Sequence, residues 1–96
     1  MRVETHDEAD RELLEESRYL EEQRSGYGQR FVAAFEHATD LIGQFPYMSE
    51  KRGRVRVKPM LGFSHNIIYS VQKDFVLVVA IAHTSRKWGY WRYRLR

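Results

Sequence analysis

The chain has 96 residues, 43% hydrophobic and 14% aromatic, enough for one small core and too apolar for a disordered polymer. It contains no cysteine, which excludes a disulfide framework and a thiolate zinc site. The net charge of +3 hides two halves of opposite sign: residues 1–50 hold 12 acids and 5 Lys/Arg, whereas residues 51–96 hold 11 Lys/Arg and the single acid Asp74. A balance of −7 against +10 points to a basic working surface in the second half, facing nucleic acid or an acidic protein.

Arg2 to Thr5 is expected to be a short strand, with Val3 and Thr5 favouring extended backbone. Thr5-x-x-Glu8 reads as a capping box, and Asp7, Glu8 and Asp10 suit the positive end of a helix dipole. A first helix is predicted from Asp7 to Arg24, with Ala9, Leu13, Leu14, Ser17 and Leu20 on one stripe. Its acids pair with arginines on the wet side (Asp7/Arg11, Arg11/Glu15, Arg18/Glu22). Ser25-Gly26 ends it. A second helix follows, with Tyr27, Phe31, Ala34, Phe35, Ala38, Leu41, Ile42 and Phe45 on a wide apolar face, stopped by Pro46. The short turn makes the pair an antiparallel hairpin.

Beyond Glu50 the chain reads as sheet. Arg54-Val55-Arg56-Val57-Lys58 alternates, with valines inward and cations outward, until Pro59 interrupts the strand or marks an edge. His65 to Val71 is a second strand. Phe75 to His83 is apolar on both faces, as in a central strand covered by helices. Residues 84–96 are aromatic and basic. The expected fold class is α+β in one domain over residues 1–96: a helical hairpin on a small, mainly antiparallel sheet in the order β-α-α-β-β-β. The opening Met1-Arg2-Val3-Glu4 lacks the apolar stretch of a signal peptide, and the run Phe75–Ala82 is strand-sized, so a cytoplasmic protein without membrane contact is expected.

Arg52, Arg54, Arg56 and Lys58 recur at a period of two and would grip phosphates or an acidic partner helix, or else guard an edge strand against aggregation. Arg86, Lys87, Tyr90, Trp91, Arg92, Tyr93 and Arg94 mix cations with aromatics, which stack on bases or dock in a protein groove. Alternatively, Tyr90 and Trp91 close the open end of the core. His83, ending the central strand, is either a general base or a hydrogen-bonded structural residue. His6, His37 and His65 lack metal-ligand spacing, so no metal or cofactor is expected. The first-helix acids read as solvated.

Several strings resemble the RelE/ParE toxin superfamily in its ParE-like branch. Asp7-Glu8-Ala9 with Leu13-Leu14 is similar to the family's first helix. Residues 19–31, from Tyr19-Leu20-Glu21-Glu22 through Gly26-Tyr27-Gly28 to Phe31, resemble its helix–turn–helix stretch. Phe45-Pro46 sits where the second helix ends in that family. Ala82-His83-Thr84-Ser85-Arg86-Lys87-Trp88-Gly89-Tyr90-Trp91 is similar to its strand-end pattern A-H-x-x-R-x-P-x-Y-W, with Trp88 in place of the proline. Asn66 lies near a position that is basic in many members.

The resemblance implies the toxin of a type II toxin–antitoxin (plasmid stabilisation) system that inhibits DNA gyrase by binding. It also implies neutralisation by a cognate antitoxin, in an assembly of two toxins with two antitoxins or higher. The alternative is a metal-independent, ribosome-dependent mRNA endonuclease of the RelE type, with Arg54, Arg56 and Arg86 supplying charge and His83 or Tyr90 handling protons. The residues expected to meet the target or the antitoxin are Arg52, Arg54, Arg56, Lys58, Arg86, Tyr90, Trp91 and Arg92.

Overall fold

A computed structural model of the chain describes residues 1–95. Strand β1 (Arg2–Thr5) leads into helices α1 (Asp7–Gln23) and α2 (Tyr27–Gln44), then strands β2 (Glu50–Arg52), β3 (Val55–Pro59), β4 (His65–Val71) and β5 (Phe75–His83), and a short 3₁₀ turn at Arg92–Arg94. The sheet order is β1-β5-β4-β3-β2. β1 runs parallel to β5, and every other pair is antiparallel. The expected α+β architecture is therefore present. It has one strand more than predicted, because the chain turns at Gly53 (φ 62°) and pairs Glu50–Arg52 with Val55–Val57. Pro59 ends β3 opposite Asn66, with β2 rather than β3 at the sheet's edge.

The capping box does not form. Thr5 is paired with Val78 in the sheet, so the cap falls to His6, whose Nδ1 accepts from the Glu8 N–H at 3.1 Å. Helix α2 begins after Gly26, which sits at φ 85° and offers no capping side chain. Glu21 reaches across from α1 instead, accepting from the N–H groups of Gly26 (2.7 Å) and Gly28 (2.9 Å). Those bonds, the Gly26 one first, hold its carboxyl below the usual carboxylate range. The helices meet closely here: a Cβ at Gly28 would overlap the Ser17 carbonyl oxygen.

Both faces of the sheet are covered, but differently. On one, Phe31, Phe35, Ala38 and Ile42 of α2 and Ala9 of α1 pack on Ile67, Tyr69, Val76, Val78 and Ile81. On the other, Trp91 of the tail lies over Val55, Val57, Ile68, Val79 and Ala80. The expectation that helices cover β5 thus holds for one side only. A bulge explains how β5 serves both. Tyr69 opposes Val78 and Ile68 opposes Ala80, leaving Val79 without a partner, so the inward alternation changes face there. Two residues assigned to apolar stripes are outside the core: Leu14 and Phe45 are about half exposed, Leu14 because it sits at the margin of α1's inward arc and Phe45 because α2 ends at Gln44 and the chain leaves the helix there at φ −135°.

Candidate functional site

The row of cations at positions 52 to 58 does not share one face. Arg56 and Lys58 alternate with the buried valines and so lie on the helix side. The Arg56 guanidinium donates to the carbonyls of Tyr47 (3.1 Å) and Ser49 (2.9 Å) and rests on the Tyr47 ring, closing the segment between α2 and β2. Lys58 borders a hollow with Leu41, Ile42, Phe45 and Met48. Arg52 and Arg54 flank the β2–β3 turn on the tail side. There, with Val55, Trp88, Trp91 and Arg92, they line a recess of about 260 Å³. The Arg52 guanidinium lies 5.0 Å from the Trp88 ring centre, and Trp88 stands at 90° to Trp91 with centroids 5.1 Å apart. Trp91, expected either to bind or to close the core, is buried.

The tail is held by a polar clamp. Beyond Val78, β5 outruns β1 and presents open backbone groups. The N–H of Ile81 donates to Glu12 of α1 (2.9 Å), and the carbonyl of Val79 accepts from Arg94 (3.0 Å). Arg94 is 7% exposed and forks onto both oxygens of Glu12, at 3.1 Å each. The Tyr90 hydroxyl donates to the same carboxylate at 2.7 Å, and Tyr93 donates to Glu8. Burial opposes the charge of Arg94, but its bonds to Glu12 and Tyr93 outweigh this and raise its pKa. Burial pushes the Tyr90 phenol well above its usual value, and Glu12 adds to the rise. So the first-helix acids are not all solvated. Glu12 was missed as a functional anchor because an acid on a helix gives no sign of a partner 82 positions away. None of the expected pairs Asp7/Arg11, Arg11/Glu15 and Arg18/Glu22 is among the ion pairs of the described residues.

Two histidines meet at the end of the sheet. His65 is buried between Phe31, Phe63 and His83, with His83 5.1 Å away. Its Nε2 donates to Glu16 at 2.7 Å, and its Nδ1 has no partner. Burial lowers its pKa, with Glu16 only partly opposing, which favours the neutral ring. His83 is exposed, and its Nδ1 accepts from the Ser85 N–H (3.0 Å). Arg86 is exposed and stacks on the outer side of Tyr90, 3.7 Å from its ring centre. Among the described residues no group of three or more His, Asp or Glu side chains could hold a metal ion.

The fold is thus a hairpin of helices set on β1 and a four-strand antiparallel meander, with a basic, aromatic tail behind the sheet. A family model described as the ParE toxin of type II toxin–antitoxin systems (parDE) matches residues 3–88. The chain belongs to that family. Membership implies an antitoxin partner. No curated protein sequence gives a significant match. The match stops at Trp88, so Tyr90, Trp91 and Arg94, which cover and clamp the back of the sheet, lie beyond the ParE match. No helix of the described residues is long and apolar enough to cross a membrane.

Proposed function

We propose that this ParE-family chain is a toxin that acts by binding DNA gyrase rather than by cleaving RNA, and that a cognate antitoxin neutralises it in the cytoplasm. The observation that carries the reading is how the would-be nuclease groups are occupied. Arg56 is engaged with two carbonyls and the Tyr90 hydroxyl with Glu12, while His83 is held through Nδ1 by the Ser85 N–H and keeps only Nε2 for proton transfer. Arg54 lines a recess that includes neither His83, Arg86 nor Tyr90. Metal-free RNA cleavage needs a base, an acid and cations around one phosphate, and binding needs no such convergence.

For the antitoxin, the outer groove of the helical hairpin supplies apolar contact. Its lining combines Gly28, Val32 and Ala33 with Arg18, Glu21 and Glu36, and exposed Leu14 lies on the α1 face that carries Arg18 and Glu21. An amphipathic antitoxin segment would anchor there, its acidic side chains reaching exposed Arg86. Purified toxin is expected to inhibit gyrase supercoiling and accumulate cleaved plasmid, with antitoxin restoring activity. Ribosome-dependent mRNA cuts without any effect on gyrase would reject the reading.

A further inference from the structure

We infer that the recess between the β2–β3 turn and the tail is a binding site for a nucleic-acid strand, with Arg52, Arg54 and Arg92 gripping phosphates and Trp88 stacking on a base. The inference goes beyond the gyrase reading and does not depend on it, because it concerns the chain alone.

The two walls of the recess come from distant parts of the sequence, Arg52 and Arg54 from the β2–β3 turn and Trp88 and Arg92 from the tail. Of the three recess arginines, only Arg52 has a carboxylate partner among the described residues. That partner is Glu50 at 3.1 Å, and both side chains are more than half exposed, so water screens the pair and leaves the recess cationic. Gly89 helps set its shape. At φ 89° it turns the tail, and a Cβ there would overlap the Arg92 guanidinium. Trp88 is 38% exposed, in contrast to buried Trp91, against which it stands.

The chemistry selects the ligand. One carboxylate is satisfied by one guanidinium fork, whereas three guanidiniums around one hollow suit a polyanion with successive charges. An exposed indole adds a flat face that a base uses and an acidic peptide does not. The Arg52–Trp88 stack suggests the mode of entry: a base takes the place of the guanidinium on the indole, and Arg52 turns to a phosphate. The recess is small for a folded ligand, and its volume suits about one nucleotide of a single strand, with the flanking phosphates outside it.

The test is titration of the purified full chain with single-stranded oligothymidylate of about eight nucleotides, within the usual site size for single strands, read by tryptophan emission. Quenching is expected, with log K falling against log salt at a slope of about −2, as three phosphate contacts imply for a single strand. Arg54→Gln and Arg92→Gln should each make that slope shallower by about 0.7. Trp88→Leu, which removes the reporting indole and is read by anisotropy of a labelled oligonucleotide instead, should weaken binding about tenfold while keeping an apolar side chain beside Trp91. Lys73→Gln, in the distant β4–β5 turn, should leave affinity nearly unchanged, and thermal unfolding of each variant checks that it is folded. The proposal is overturned by absence of binding, by equal losses in Lys73→Gln and Arg54→Gln, or by quenching with an acidic peptide of equal charge but not with the oligonucleotide. None of these readings involves gyrase, so their failure is distinct from that of the gyrase proposal.

Discussion

The two faces of the sheet are covered by different kinds of chemistry. The helix side is closed by aromatic and aliphatic packing, with Phe31 wholly buried against β4 and β5. The tail side is closed by buried Trp91, with Tyr90 and Leu95 packed beside it, and by the Glu12–Arg94–Tyr90 clamp. Non-directional burial tolerates sliding, whereas a forked ion pair with two backbone anchors fixes one geometry. The larger buried apolar cluster lies on the helix side, and burial there contributes most of the stabilisation. The tail side supplies position, and the recess with Trp88 and Arg92 depends on where the clamp sets the tail.

The largest break in this contrast is Phe31→Ala. Removing the ring is expected to cost about 4 kcal/mol, lowering Tm by about 15 °C or more for a chain of this size; calorimetry checks it. Arg94→Met comes next, at about 3 kcal/mol, because Glu12 is left partly buried without its cation. Here the loss should be accompanied by faster amide exchange at Ile81, whereas Phe31→Ala should raise exchange throughout. Uniform exchange in both variants would show that the two faces unfold as one unit.

His65 sharpens the contrast through pH. Its folded pKa lies below the ordinary 6.5, so the neutral ring's contribution is complete above that value. As pH falls below 6.5, the unfolded chain takes up a proton that the folded ring resists, and stability is lost. Tm should therefore drop between pH 7 and 5 by more in the natural chain than in His65→Gln, which keeps a donor for Glu16 but cannot titrate. Equal drops would assign the acid sensitivity to other groups. The smallest effect is expected from Arg86→Ala. An exposed cation on the Tyr90 ring contributes about 0.5–1 kcal/mol, so Tm should move by only a few degrees. Antitoxin affinity, measured by calorimetric titration, should fall by more than that change in stability accounts for.

What could be read in the sequence was whatever a local period encodes. The alternation around Val55 and Val57, the apolar face of residues 27–42 and the run Phe75–His83 gave strands and a helix at nearly the right bounds. The partner across each face was not encoded locally. An outward cation in a strand pattern stays ambiguous until the opposite layer is known: Arg54 faces an open recess, while Arg56 is tied to Tyr47 and Ser49. The same holds for charge. The opposition of an acidic half and a basic half suggested an external partner, yet Glu8 and Glu12 meet Arg94 within the fold. Trp91 was readable as a core plug because a large indole is rarely left in water. The bulge at Val79, which turns β5 from one face to the other, has no sequence mark.

The 82 positions between Glu12 and Arg94 also set a timetable. At about 5–20 residues per second, a ribosome delivers Arg94 about 4–16 s after Glu12. During that interval the nascent chain is an acidic helical hairpin waiting for its sheet, and its running charge becomes positive only after Lys87. The basic recess, whose second wall is Trp88 and Arg92, is therefore completed only after both helices and all five strands have been synthesised.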